Sequence, residues 1–264
     1  MDLRHAVRNQ VARHLVFLPL AKRKYPLHVL DRSTDIVIDG FTRSATTFAV
    51  VAFQLAQNGR VRVAHHVHAP IHLVRAAQLA IPTLVTAREP EGTILSAMAV
   101  HPEVSPRQWL QTYCRFYRRV LPYRESMVVA TFDEVIHDLG SVIFRVNDRF
   151  GTAFKPFFHT SQTEAEVFEI IETRSKAPPW EDVIGQFLSG RISADRYRGA
   201  VKKLVAEGPV PEIPERRVQR PSPLREVRKE GLRARLEQPD LAGLRVQAAR
   251  IYGAFVESAP TTCS

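Results

Sequence analysis

Residues 35–58 read DIVIDGFTRSATTFAVVAFQLAQN, and their order dictates a strand, a tight loop and a helix in succession. In Asp35 to Asp39 two charged residues flank three β-branched ones, the pattern of a short buried strand. Gly40 breaks that pattern, and Phe41 to Ala45 form a loop carrying one arginine and one serine. From Thr46 the apolar residues Phe48, Val51, Ala52 and Leu55 recur at helical spacing, and Asn58-Gly59 is a helix terminator. A strand, a small-residue loop and a helix start together make a phosphate site. The first backbone N–H groups of a helix have no internal partner, and they sum to a partial positive charge facing the loop. Arg43 adds a full charge there, and Ser44, Thr46 and Thr47 add hydroxyl donors. An ordinary strand-to-helix turn with Thr46 as N-cap uses the same residues. The arginine among small hydroxyl residues and the paired threonines point beyond it, to an anion site.

Downstream, strand and helix patterns alternate. Arg60 to His66 is short and valine-rich, a second strand; Pro70 opens a helix through Leu79. Thr83 to Ala87 is a near-continuous apolar run, a third strand, followed by Arg88-Glu89-Pro90 and a helix from Glu91 to Ala99. Ser105-Pro106 supplies an N-cap and a first-turn proline to a helix ending at Leu121. Met127 to Thr131 is a fourth strand; Asp133 starts a helical stretch, and Leu139 to Phe150 is a helix closed by Gly151. This alternation predicts an α/β fold, a parallel sheet covered by helices on both faces. Ligands of such sheets bind outside the carboxyl ends of the strands, where the loop 41–47 falls. Residues 160–215 differ: helical pieces at Glu164 to Thr173 and Trp180 to Leu188, Pro178-Pro179 between them, then Pro209, Pro211 and Pro214. They are expected to form a helical cap that sets acceptor specificity. Arg216 to Arg235 is strongly basic, a solvated helix face or a wall of a phosphate site, and Leu241 to Val256 is a final helix.

The 264 residues suffice for a full core, as one α/β domain or one domain with a smaller appendage, and 45% apolar with 24% charged residues are globular values. A net charge of +10 implies an anionic partner: nucleic acid, acidic lipid or a polyphosphorylated cofactor. Cys114 and Cys263 are too few and too far apart for a disulfide framework, and a reducing, cytoplasmic compartment fits. The N-terminus carries Arg4, Arg8, Arg13, Lys22, Arg23 and Lys24 around a short apolar run, Leu15 to Ala21, interrupted by Pro19. That run is too short for a membrane span or a signal peptide. Residues 1–30 are expected to be helical, lying on the domain with basic side chains outward, which also suits peripheral contact with a membrane.

Two further constellations carry chemistry. Arg88 at the end of the third strand and Ser96 on the next helix can face one phosphate as a guanidinium fork and a hydroxyl. His65, His66, His68 and His72 crowd one stretch, but without cysteine or carboxylate they lack the pattern of a zinc site. His68 stands either as a general base or as a cap on the helix at Pro70.

Thr42, Arg43, Ser44, Ala45, Thr46 and Thr47 resemble the 5′-phosphosulfate-binding loop of the sulfotransferases that use 3′-phosphoadenosine 5′-phosphosulfate (PAPS). Their usual form is Pro, Lys or Arg, Ser, Gly, Thr, Thr; here Thr42 replaces Pro and Ala45 replaces Gly. Arg88, Glu89, Pro90 and Ser96 are similar to the family's 3′-phosphate motif. His66-Val67-His68-Ala69-Pro70 resembles its Lys-Thr-His-x-Pro run, whose histidine is the base. Phe132, Asp133 and Glu134, with Phe150-Gly151, resemble its Tyr-Glu-Asp run and the Phe-Leu-Gly that ends the following helix. The resemblance covers Asp35 to Phe154, with a weak tail at Arg220 to Leu236, where the Arg-Lys-Gly loop and Gly-Asp-Trp of the cytosolic branch are absent.

The resemblance implies a single P-loop-NTPase-like three-layer domain: an N-terminal helical segment 1–30, a PAPS-binding core 35–154, a cap 160–215 and a basic segment with the last helix, 216–264. It implies in-line transfer of a sulfuryl group from PAPS to a hydroxyl or amine, without a metal, releasing 3′-phosphoadenosine 5′-phosphate (PAP). His68, or His66 beside it, takes the acceptor proton. Arg43 neutralises charge on the bridging oxygen; Thr42 to Thr47 hold the 5′-phosphate; Arg88 and Ser96 read the 3′-phosphate. Small molecules, glycans and lipids all stay open as acceptors. A small-molecule kinase is the first alternative, but the loop lacks its lysine. A nucleic-acid-binding protein is the second. Its best patch, Tyr113, Phe116 and Tyr117 beside Arg115, Arg118 and Arg119, has aromatics at the spacing of a core face.

Overall fold

In the computed structural model, Ile36, Ile38, Leu84, Val128 and Ala130 face one apolar core, and Val37, Val85, Ala87 and Val129 face another. Period-two alternation with both faces apolar is what a sheet covered on each side requires. The strands are β1 (Ile36–Gly40), β2 (Val63–His65), β3 (Thr83–Ala87) and β4 (Val128–Thr131), all parallel, in the order β2-β1-β3-β4. The structure describes residues 2–57, 61–174, 180–208 and 223–257. The expected terminator Asn58-Gly59, the start of the second strand at Arg60, the prolines at 178, 179, 209, 211 and 214, the basic residues before 223 and Cys263 lie outside them.

On the first face lie α3 (Thr46–Gln57), α8 (Leu139–Phe150), α9 (Ser161–Arg174), α10 (Trp180–Leu188) and α11 (Ala194–Glu207). The second is covered by α4 (Pro70–Gln78), α5 (Pro90–Val100), α6 (Pro106–Val120) and α13 (Ala242–Val256), with α12 (Pro223–Leu236) packed on α5. The chain is thus a three-layer α/β sandwich. Tyr113, Phe116 and Tyr117 are buried around Phe41, as their spacing on α6 predicts.

From β1 the chain crosses through α3 to β2 on one side, then through α4 to β3 on the other side of β1. Because parallel crossovers are right-handed, this change of direction puts α3 and α4 on opposite faces and opens a crevice between the ends of β1 and β3. The loops after β1 and β3, which carry Arg43 and Arg88, meet at that crevice.

Three features differ from the sequence reading. The expected N-terminal helical segment holds two helices among its described residues, α1 (Leu3–Val11), N-capped by Asp2, and α2 (Phe17–Lys24). Between them the carbonyl of buried Ala12 accepts the N–H of Ile71, tying that bend to α4. α11 had no counterpart; its N-cap is Ser193, which accepts the N–H of Arg196, and it buries Ala194 and Tyr197. The short helix α7 (Phe132–His137) starts directly on β4, where Thr131 and Glu134 close a capping box. Among the described residues no helix is long and apolar enough to cross a membrane.

Candidate active site

The loop after β1 is built around a buried knot of hydroxyls. Ser44 Oγ–H donates to the carbonyl of Phe41 at 2.6 Å, and Oγ lies 2.8 Å from Thr86 Oγ1. Thr46 Oγ1 lies 2.8 Å from the same Thr86 oxygen. A Cβ on Gly40 would lie 2.2 Å from the Thr86 carbonyl, so only glycine lets β1 and β3 close here. Phe41 anchors the loop from the other side, its ring set edge-on to Tyr113 and Phe116. Ser44 is therefore turned inward, its hydroxyl engaged by the fold, and of the predicted loop residues it alone does not line the cavity described below.

Arg43 has φ 68° and Ala45 φ 66°, with Ser44 between them at negative φ. Alternating the sign of φ turns successive N–H groups to one side, an arrangement that receives anions. The N-terminus of α3 adds its unpaired N–H groups to the same place.

A cavity of about 630 Å³ opens over this loop. Its walls include Thr42, Arg43, Ala45, Thr46 and Thr47 from the loop, Arg88 after β3, Ser96 on α5, and Arg225 and Lys229 on α12. Arg43 Nε–H donates to Ser96 Oγ at 2.9 Å, and Arg225 Nη2–H donates to the same oxygen at 2.9 Å. The Arg88 guanidinium lies 4.0 Å from the centre of the Phe132 ring, which holds it by its face, and Glu89 caps α5 by accepting the Gly92 N–H. Burial and the nearby Arg88 charge both lower the pKa of Arg225. The two carboxylates on the walls already have partners: Glu226 pairs with Lys229 at 2.6 Å and Glu164 with His159 at 3.1 Å. Positive charge held at close range in a partly buried crevice favours an anion there.

Asp39, fully buried at the end of β1, organises the histidines. It accepts the N–H groups of Gly40 (2.9 Å), Val67 (3.0 Å) and His68 (3.2 Å) and the Nδ1–H of His72 (2.9 Å). His72 Nε2 accepts the N–H of Leu30 at 3.2 Å, which fixes its neutral Nδ1–H form. Burial pushes the Asp39 carboxyl up, but hydrogen bonds from His68 and His72 outweigh it and hold the group well below the usual carboxylate range. His68 Nδ1 lies 2.9 Å from the Gly40 carbonyl and 3.3 Å from Asp39 Oδ1. Both are acceptors, so Nδ1 carries the proton and Nε2 holds the lone pair, in a side chain 23% exposed on the cavity wall.

His66 is placed differently. Its Nε2 lies 2.9 Å from Thr47 Oγ1 and its Nδ1 2.6 Å from His65 Nδ1, so both ring nitrogens are engaged. The structure thus brings Arg43, Arg88, Ser96, Thr47, His66 and His68 to one crevice. Sequence reasoning missed Thr86, Asp39 and Arg225; for Arg225 the only signal was the basic run around it. Among the described residues no group of three or more His, Cys, Asp or Glu side chains is disposed to hold a metal ion. Cys114 is buried, and burial raises its thiol pKa, away from nucleophilic use. No family model, curated protein or solved structure matches the chain.

Proposed function

We propose that the protein is a sulfotransferase with a P-loop-like phosphate site, acting in the cytoplasm, that moves the sulfuryl group of PAPS to a hydroxyl or amine. The observation that carries this reading is the convergence of Arg43, Arg88 and Arg225 on one cavity, beside a histidine whose Nδ1–H is held by Gly40 and Asp39. A cavity of about 630 Å³ suits a nucleotide. In this reading the loop N–H groups, Thr46 and Thr47 receive the 5′-phosphate and Arg88 with Arg225 a second phosphate; their lining of one cavity supports it.

PAPS supplies a sulfuryl group already activated by its bond to phosphate. His68 Nε2 takes the acceptor proton as the acceptor oxygen bonds to sulfur. The sulfur–oxygen bond to the phosphate breaks, and its electron pair leaves with PAP. Arg43, oriented through Ser96, offsets the charge that grows on the departing phosphate oxygen. Asp39 and Gly40 keep the His68 ring in the productive tautomer and favour the imidazolium that forms.

The test is a melting curve of the full chain with PAP, with ADP and with ATP plus magnesium. PAP alone, about a hundredfold above its dissociation constant, is expected to stabilise by roughly 2.7 kcal/mol. A larger shift with ATP and magnesium would replace this reading with the kinase one.

A further inference from the structure

Thr42 and His68 line two cavities at once. The second, about 380 Å³, lies between α1 and α6 on the far side of His68 from the arginine-lined crevice, and Arg4, Arg8, Arg13 and Arg115 stand on its walls. Among the described residues none of these four forms an ion pair with a carboxylate. The two carboxylates on the same walls are engaged: Asp2 accepts the N–H groups of Arg4 and His5 as N-cap of α1, and Glu103 pairs with His101 at 3.1 Å. Four guanidinium groups gathered around one cavity without a carboxylate partner among the described residues favour an anion there.

We infer that this cavity holds the acceptor, and that the acceptor is an anion: a hydroxyl compound of about sugar-phosphate size bearing a phosphate, sulfate or carboxylate group. The inference rests on the transfer reading above for the role of the hydroxyl; the anion site stands on the residues of the cavity. The anionic group would engage the α1 and α6 arginines, leaving the hydroxyl to reach His68 Nε2 at the shared wall.

The test titrates glycerol 2-phosphate, with glycerol as neutral control, into the full-length protein saturated with PAP, which occupies the other cavity. Saturable binding of glycerol 2-phosphate and none of glycerol is expected. R8Q/R13Q should raise its Kd about tenfold or more, with PAP affinity unchanged. R115Q, at an exposed position of α6, repeats the test where folding is not at stake, and a rise in Kd is again expected. Phosphatidylglycerol vesicles in a parallel arm separate a lipid headgroup from a free anion; arginine-dependent binding in either arm supports the inference. Binding of PAP without arginine-dependent anion binding in any arm would overturn it. Failure of PAP to bind would sink the transfer reading instead, and the same variants, titrated without PAP, would still decide the cavity.

Discussion

Arg43 Nε–H donates to Ser96 Oγ at 2.9 Å, and this bond joins the loop after β1 to the helix after β3. Ser96 also accepts from Arg225, so one buried hydroxyl oxygen fixes two guanidinium groups from different elements. Ser96→Ala is expected to loosen both and weaken PAP binding about tenfold, because each charge-assisted bond is worth roughly 1.5–3 kcal/mol. Titration calorimetry checks this. An unchanged affinity would mean that other contacts hold the arginines.

Arg88→Ala is expected to weaken PAP binding while leaving the weaker binding of AMP nearly unchanged, since AMP has no 3′-phosphate. Arg225→Ala should share that signature, because it faces Arg88 across the same wall. Equal losses for both ligands would assign the two arginines to the 5′ site or to the fold.

Ala45 occupies the left-handed region at φ 66°, which costs an alanine roughly 1–2 kcal/mol relative to a right-handed conformation. Glycine removes that strain but is more flexible in the unfolded chain by about 0.5–1 kcal/mol. Ala45→Gly is therefore expected to stabilise by up to about 1 kcal/mol in denaturant unfolding, without loss of PAP affinity. A destabilised variant would show that the loop is not strained at Ala45.

Asp39 gives a pH signature. Its folded pKa is depressed, so its contribution to stability is complete above its unfolded value near 3.9 and is lost as pH falls toward the folded value. Asp39→Asn is expected to cost roughly 1–3 kcal/mol at neutral pH through buried donors left badly matched. The gap in melting temperature between wild type and variant should narrow below about pH 4. A gap constant from pH 7 to 3 would contradict the assigned ionisation.

These outcomes depend on contacts of unequal visibility in the sequence. β3 was legible to the residue, because an apolar run bounded by Pro82 and Arg88 leaves no other boundary. α8 was equally clear, with Asp138 accepting the N–H of Ser141 at its start and Gly151 left-handed at its end. Thr86 was not legible: a threonine in a strand is an ordinary β-former until β1 and β3 are known to be neighbours. Asp39 looked like one more strand residue, since its partners arrive from a loop 28 positions on. Arg225 could not be told from Arg228 or Lys229 until the packing of α12 on α5 chose it. α9, from the expected cap, lends Glu164, Phe168 and Ile171 to the arginine-lined cavity, and α1 walls the cavity that shares His68 with it, contacts between elements far apart in the chain that no local pattern announces.

His68 carries the sharpest test. Its Nδ1–H is held by Gly40 and Asp39, which leaves Nε2 as the only ring nitrogen that can take a proton. His68→Ala is expected to lower turnover by roughly a hundred- to ten-thousandfold with PAP affinity close to wild type. The residual rate should rise with acceptors of lower pKa, which lose their proton with less help. His68 does not cap α4, whose N-cap is Ala69 without a side-chain bond, so a mere loss of about 1 kcal/mol in stability is not the expected outcome. His66→Ala is the control. Both nitrogens of His66 are engaged by Thr47 and His65, so its loss should act through the loop, weakening PAP binding more than the chemical step. A drop in turnover confined to His66→Ala would transfer the base to that residue. If neither substitution slows turnover, proton transfer by histidine is wrong.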